Sequence, residues 1–361
     1  MIKIETPRDD AGRHEFIELY EHVYASRSAY WKPAARFERA VLCGQSAFNE
    51  GRMVRPFVAR ERGQMVARIL AVMDARYNRH WQERLGHLCW FEALPGTREA
   101  VKALIDEACE WLQNQGANAA RAGHGVLEFP FVIDAYETLP PNVLRFNPSY
   151  YHSLLKDAGC ESEKGFVDYK IEVRPELLAR WVSMLEAARR AGYAIMPLRA
   201  VPEHRRVHDF VETFNATFTS HWGWTPYSET EISGLLNALA PTGVLDTSVL
   251  AYRGDQPVGM LLLVPEHKAE AVRKAGRTVH EDERLNVLAI GVCEFDRGRG
   301  VNLAMASYGY LELVRRGATY LSYTLVLDDN WPSRRTAEKL GAVVCANYVA
   351  YRRNFLSKDK G

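Results

Sequence analysis

The order strand, glycine turn, helix and Gly-Ala occurs twice in the chain, at residues 86–117 and 285–318. In each copy an asparagine then precedes a short helix that ends at a glycine, Gly159 in the first and Gly341 in the second. An aromatic strand follows each glycine. A matched series of this kind indicates an internal duplication. The sequence therefore predicts two similar units, joined by an amphipathic helix at residues 174–192.

The turn of the second copy is the more informative one. A β-prone run ends at Val292 and leads through Arg297-Gly298-Arg299-Gly300 into an amphipathic helix. The first N–H groups of a helix have no intrahelical partner, and with the helix dipole they suit a phosphate group. The first copy has Leu94-Pro95-Gly96 at this turn, and proline removes an amide donor. The second copy is therefore predicted to bind phosphate better.

The second copy resembles the core of the GNAT superfamily of acyl-CoA-dependent N-acyltransferases. The resemblance rests on the strand, the Arg-Gly-Arg-Gly turn, the helix, a second strand, the helix led by Asn330, the Glu-Lys-Leu-Gly-Ala run and Tyr351. It covers residues 291–351. With the repeat, it implies an α/β fold of the α+β kind: a tandem GNAT fold of two mixed twisted sheets flanked by helices. The expected domains are residues 1–173, a degenerate copy, and 193–361, which holds the acyl-CoA site.

The resemblance implies that acetyl-CoA or another acyl-CoA is the cofactor, used as a co-substrate. One set of residues is expected to contact its pyrophosphate, its acyl chain or its pantetheine arm. They are Val292, Cys293, Arg297, Gly298, Arg299, Gly300, Asn330 and Ser333. Asn330 is equally well explained as the N-cap of the helix that follows it.

Other residues are candidates for moving protons or binding the acceptor. Glu294, at the strand end, and His221 are candidate general bases. Trp222 and Trp224, in the sequence His-Trp-Gly-Trp, are expected at the acceptor. The structural alternatives are a solvated strand end for Glu294 and aromatic packing for the other three.

Tyr348 is the candidate donor of a proton to the leaving thiolate. Because neighbouring positions of a strand point to opposite faces, at most one of Tyr348 and Tyr351 is expected to point inward. Two positions depart from the family pattern: Phe295 replaces the usual Gln or Arg, and Ala337 replaces a tyrosine that often protonates the thiolate. Both departures fit an alternative, an aminoacyl-tRNA-dependent transferase on the same duplicated fold. A module that binds acyl-CoA without catalysis is the other alternative.

Composition limits the partners. The net charge of +1 gives no global electrostatic case for DNA or a membrane surface, so a small-molecule amine is the expected partner, and tRNA only under the first alternative. Six scattered cysteines without C-x-x-C spacing, no metal-ligand pattern and an N-terminus without an apolar stretch predict a metal-free cytoplasmic protein. The charged segment at 265–284 is expected to be an exposed loop.

Overall fold

The structure, a computed structural model, describes residues 1–27, 29–31, 34–125, 127–142, 144, 146–266, 271–273 and 284–355. The elements of the first part of the chain are β1 (Ile2–Glu5), α1 (Asp10–Tyr24), β2 (Ala29–Trp31), α2 (Ala35–Leu42), β3 (Arg52–Glu61), β4 (Gln64–Asp74), α3 (Ala75–Trp81), β5 (Leu85–Ala93), α4 (Arg98–Asn114), β6 (Ala119–Ala122), β7 (Phe131–Val132), α5 (Tyr151–Asp157) and β8 (Glu161–Glu172).

The remaining elements repeat part of this order. They are α6 (Leu178–Arg190), β9 (Tyr193–Pro197), α7 (Glu203–Phe218), α8 (Glu229–Leu239), α9 (Val244–Thr247), β10 (Val249–Arg253), β11 (Gln256–Glu266), β12 (Ala271–Arg273), β13 (Arg284–Val292), α10 (Val301–Arg315), β14 (Tyr320–Leu327), α11 (Trp331–Lys339) and β15 (Val343–Asn354).

By compactness the chain divides into two units. The first comprises Met1–Phe166, Glu270–Arg277 and Asn347–Gly361, and the second comprises Val167–Ala269 and Thr278–Ala346. Most of β15 therefore belongs to the first unit, although it is the last strand in the sequence. The domain boundaries at residues 173 and 193 stay a prediction.

The first unit is built on a mixed sheet with the order β1-β3-β4-β5-β6-β15. Among its described strands β5 and β6 are the parallel pair, and the helix between them, α4, buries the apolar face formed by Val101, Leu104, Ala108 and Leu112. The short strand β7 pairs with β15, and β12 pairs with β2. Both Tyr348 and Tyr351 of β15 are buried, and the expectation that at most one of them points inward stays a prediction.

The second unit repeats this arrangement with the order β8-β14-β13-β11-β10-β9. Here β13 and β14 are the parallel pair and α10 connects them. One apolar cluster contains Val301, Ala304 and Met305 of α10. Another contains Phe210 of α7 and Ile232 of α8. A capping box begins α8: Ser228 Oγ accepts from the N–H of Glu231, and the Glu231 side chain accepts from the N–H of Ser228.

Matching strand registers confirm the duplication. In the first unit, Met73, Gly86 and Ala120 form one row; in the second, Pro265, Leu285 and Leu321 form the equivalent row. In each unit the parallel pairing spans four residues of each strand, 85–88 with 119–122 and 284–287 with 320–323. The two units therefore share a fold down to the pairing of individual residues.

The prediction of an exposed loop at 265–284 is wrong at its ends. Pro265 and Glu266 end β11, Arg284 begins β13, and the Glu266 and Arg284 side chains are buried. Residues 271–273 form β12. The remaining residues of the segment, 267–270 and 274–283, lie outside the described part of the chain.

Candidate functional site

The parallel strands of the second unit separate before they end. Pairing between β13 and β14 stops at Val287 and Tyr323, whereas the strands continue to Val292 and Leu327. A bulge marks the separation, because Leu288 is an extra residue between the pairs Leu263–Val287 and Leu262–Ala289. Beyond this point β13 stays paired with β11, but its backbone groups on the side of β14 have lost that strand as a partner. They can hydrogen-bond to a ligand that enters between β13 and β14.

A glycine turn follows the separated end of β13. Gly298 and Gly300 have φ values of +74° and +81°, in the left-handed region that favours glycine. The helical ladder of α10 begins with the bond from Ala304 N to Gly300 O, so the amides of residues 301–303 precede it. No side chain in the described part of the chain caps this helix, and its first turn contains no acidic residue. The turn residues 297–300 are exposed. This end of α10 is therefore open to an anion.

The corresponding turn of the first unit is less suited to an anion. Pro95 has no N–H group, and Glu99 places a carboxylate in the first turn of α4. The side chain of Thr97 turns back and donates to the carbonyl of Leu94 at 2.7 Å. Glycine remains at one position only, Gly96, with a φ of +80°.

The chain itself fills the separation in the first unit. The strand distortion there lies at Trp90, whose φ is +53°. The N–H of Trp90 donates to the buried carboxylate of Glu128. Leu127 and Phe131, which lie close to Glu128 in the sequence, are buried as well. A backbone donor that a ligand could use is thus already satisfied.

Asp296 holds the glycine turn of the second unit and was not found by sequence reasoning. It lies in a 3-10 turn, Glu294–Asp296, between β13 and the glycines. Its buried carboxylate accepts from the hydroxyl of Tyr193 at 2.8 Å and pairs with Arg253 at 3.1 Å. An aspartate directly before a double-glycine turn is the only sequence signal, and its partners lie 103 residues away at Tyr193 and on β10.

Replacing Asp296 by alanine is expected to destabilise the protein by about 1–3 kcal/mol, because the buried Tyr193 hydroxyl loses its acceptor. We also expect weaker CoA binding, since the turn loses its anchor to β9 and β10. Urea unfolding and equilibrium dialysis with labelled acetyl-CoA measure the two effects. Asp255→Ala is the matched control, because Asp255 is exposed and is contacted through its backbone carbonyl. Equal behaviour of the two variants would refute the anchoring role.

The predicted contacts of the acyl chain lie at the end of β13. The N–H of Cys293 donates to Val258 O at 2.8 Å, and the carbonyl of Val292 accepts from Arg297 Nε at 3.0 Å. Burial raises the pKa of the Cys293 thiol, which favours the protonated form and disfavours a nucleophilic role. Glu294 is exposed at the start of the 3-10 turn. These assignments stay predictions.

The loop with His221, Trp222 and Trp224 follows α7, and α7 packs closely against β13. A Cβ atom on Gly291 would lie 2.6 Å from Thr217 Oγ1, so only glycine permits this approach. The rings of Phe218 and His221 are 5.5 Å apart. His221 and Trp222 are half-buried, whereas Trp224 is only 8% exposed. The structure thus brings His221 toward the carboxyl end of β13 and places Trp224 in the packing.

Asn330 and Ser333 lie at the start of α11. The N-cap interpretation of Asn330 is confirmed, because its Oδ1 accepts from the N–H of Ser333 at 3.3 Å. The counterpart in the first unit, Asn147, is not a cap: it is buried and bonds to both backbone groups of Val132. Ser333 Oγ lies 2.8 Å from the hydroxyl of Tyr323, which ties α11 to β14 at the last paired residue.

Tyr348 is not part of the second unit. It lies in the first unit, is buried and pairs with Val132 of β7. The second unit contains the other predicted positions: the segment from Val292 to Gly300, the His221 loop and the start of α11. Among the described residues, no helix is long and apolar enough to cross a membrane. In the same residues, no three His, Cys, Asp or Glu side chains are grouped so that they could hold a metal ion.

The sequence was compared with protein families and with known proteins. No family model matches the chain. Protein YghO of Escherichia coli (strain K12) is 22% identical over 254 residues, which are 65% of this chain and 61% of that protein. The match thus spans less than two thirds of that relative.

Two solved structures match almost the whole chain. A tandem GNAT protein from the clavulanic acid biosynthesis pathway aligns with a TM-score of 0.59 at 11% identity, over 99% of this chain and 100% of that one. A GCN5-related N-acetyltransferase from Sphaerobacter thermophilus aligns with a TM-score of 0.54 at 15% identity, over 98% and 95%. At these identities the likeness concerns the fold. The chain has the tandem GNAT fold, as the sequence predicted.

Proposed function

We propose that the chain is an N-acyltransferase that binds acyl-CoA, most simply acetyl-CoA, in its second unit. The acceptor is the amine of a small molecule. One observation carries the proposal: β13 and β14 separate and lead into an uncapped, exposed glycine turn. In the first unit, Glu128 occupies the equivalent place and Pro95 stiffens the turn. The first unit is therefore assigned a structural role.

The reaction needs positioning more than covalent help. The ammonium acceptor loses one proton to a base, and its nitrogen then forms a bond to the thioester carbonyl carbon. The carbon–sulfur bond breaks, the sulfur leaves as a thiolate, and the second proton of the nitrogen reaches the sulfur. Amides in the separated part of β13 would stabilise the oxyanion, and the turn from Arg297 to Gly300 would hold the pyrophosphate.

The proton carriers are assigned by position. His221 and Glu294 are the proposed bases, and His221 is favoured by the approach of α7 to Gly291. For the thiolate, Tyr323 offers a hydroxyl within the second unit, oriented by Ser333. Burial raises the pKa of Tyr323, so it keeps its proton. Position 337, where the family often has a tyrosine, is a buried alanine.

An aminoacyl-tRNA-dependent transferase is the second candidate. Phe295 favours it, because this side chain is 85% exposed next to the glycine turn and cannot hydrogen-bond to a pyrophosphate as Gln or Arg would. A module that binds acyl-CoA without catalysis is the third candidate. CoA binding without turnover would distinguish it from the two enzymes.

The test incubates the purified protein with acetyl-CoA and a panel of small primary amines, with thiol release and mass spectrometry as readouts. An acetylated amine whose formation is insensitive to ribonuclease supports the main proposal. A product that requires aminoacyl-tRNA and is lost after ribonuclease treatment supports the second candidate. Acetyl-CoA binding without product across the panel contradicts the catalytic proposal.

A further inference from the structure

Two strands contain a residue in the left-handed region of the backbone that is not glycine. In the described part of the chain, the non-glycine residues with a positive φ are Arg62, Gln82, Trp90 and Leu325. Arg62 lies in the turn between β3 and β4, and Gln82 is the C-cap of α3; both places favour this conformation. Trp90 and Leu325 lie within β5 and β14. There the left-handed conformation strains the backbone.

The fold of the first unit accounts for the strain at Trp90. The Trp90 N–H donates to Glu128. The ring of Trp90 packs against the apolar core, with its centroid 6.3 Å from that of Phe37. After β6 this unit uses glycine instead: Gly123, which directly follows the strand, has a φ of +83°. The ring of Phe131 fills the adjacent space, since a Cβ atom on Gly123 would lie 2.7 Å from it.

Core packing does not account for the strain at Leu325. Alternate residues of a regular strand face the same side, and Leu321 and Tyr323 belong to the apolar cluster that contains α10. The next member of this cluster on β14 is Val326. The left-handed residue thus breaks the alternation, and Val326 takes the place of Leu325 in the core. Neither apolar cluster described for this unit includes Leu325, which is half-buried between buried neighbours.

Leu325 lies where β13 and β14 are separated. The pairing of β14 with β13 ends at Tyr323, two residues earlier. Thr324 closes the apex of the separation, because it is 2% exposed and its hydroxyl donates to Val287 O at 3.3 Å. An acyl-CoA whose pyrophosphate is bound at the glycine turn, beyond the open end of β13, would point its acyl group toward this apex. The end of the acyl group would then meet Leu325 before it reached Thr324.

We infer that Leu325 limits the length of the acyl group, and that the second unit takes short acyl groups such as acetyl and propionyl. The left-handed backbone turns this side chain away from the core and into the path of the acyl group. A branched apolar side chain at this place contacts a methyl or ethyl group and blocks a longer chain. This inference rests on the proposed function, because it names the acyl group that the same site would take.

Acyl-CoAs of increasing length test the inference without an amine acceptor. Acetyl-, butanoyl- and hexanoyl-CoA compete with labelled CoA in equilibrium dialysis, and the readout is the affinity of each relative to that of acetyl-CoA. The wild-type protein should bind hexanoyl-CoA at least tenfold more weakly than acetyl-CoA. Leu325→Ala opens room for part of the longer chain, and each methylene group that becomes buried adds about fourfold in affinity. The relative affinity of hexanoyl-CoA should therefore rise by roughly tenfold.

Further variants separate the size of the side chain from the strain of the backbone. Leu325→Asn keeps a branched side chain and tolerates the left-handed conformation, so it should keep the wild-type preference. Leu325→Gly removes both the side chain and the strain, and should accept longer chains as Leu325→Ala does. In urea unfolding it should be at least as stable as Leu325→Ala, although glycine is the less stable residue in a regular strand. Leu311→Ala, the same truncation at a half-buried position of α10, is the control and should keep the preference.

Equal affinity of the wild-type protein for the three acyl-CoAs would overturn the inference, and this result needs no variant. Unchanged preference in both Leu325→Ala and Leu325→Gly would do so as well. A shift in Leu325→Asn as large as in Leu325→Ala would show that side-chain size is not the cause. Normal CoA binding in any of these cases leaves the proposed function standing. If neither CoA nor any acyl-CoA binds, the proposed function fails, and the inference fails with it.

Discussion

Valine at position 300 is expected to weaken acetyl-CoA binding by about 10- to 100-fold. Gly300 has a φ of +81°, where a residue with a Cβ pays roughly 1–2 kcal/mol and a β-branched residue more. Relieving that strain moves the turn amides away from the pyrophosphate. A factor of ten corresponds to about 1.4 kcal/mol. Equilibrium dialysis with labelled acetyl-CoA measures the loss.

Two other glycines separate this effect from general destabilisation. Gly317, at the opposite end of α10, has a φ of +66° and open space around its Cβ position, as Gly300 has. Gly96, in the turn of the first unit, has a φ of +80° and open space as well. Gly317→Val and Gly96→Val carry similar backbone strain and should bind acetyl-CoA normally. Equal loss of binding in all three variants would point to folding and not to the turn.

Removing the buried carboxylate of Glu266 is the change expected to cost most stability. Glu266→Ala leaves the guanidinium of Arg284, 3% exposed, without its charge partner. Breaking a buried pair on one side typically costs about 3–5 kcal/mol. Arg199→Ala is the control, because the Arg199–Asp246 pair is exposed and such pairs contribute about 0–1 kcal/mol. Urea unfolding measures both.

A stabilising role of the buried Glu266–Arg284 pair is contradicted if Glu266→Ala costs no more than Arg199→Ala. The more conservative Glu266→Gln keeps an acceptor for Arg284 and should fall between wild type and the alanine variant.

The sequence predicted the features that depend on local order. The duplication, the glycine turn and the cap at Asn330 each follow from residues a few positions apart, and the structure confirms them. The equal registers of the two sheets could not be read from the sequence, but they follow from the same duplication. The fold was therefore largely predictable.

The site was less predictable because it depends on distant contacts. The separation of β13 and β14 arises from a bulge at Leu288, and a one-residue bulge leaves no clear trace in a β-prone run. Glu128 closes the first unit through a contact with the backbone of Trp90, 38 residues earlier. Arg284 belongs to the charged segment that was expected to be an exposed loop, whereas pairing with β11 and β14 buries it.

Calorimetric titration of CoA into the wild-type protein tests the central claim most directly. The account predicts micromolar binding with one site per chain, because only the second unit has an open turn beyond separated strands. Two sites per chain would contradict the assignment of a structural role to the first unit. No binding at millimolar CoA would contradict the acyl-CoA proposal itself.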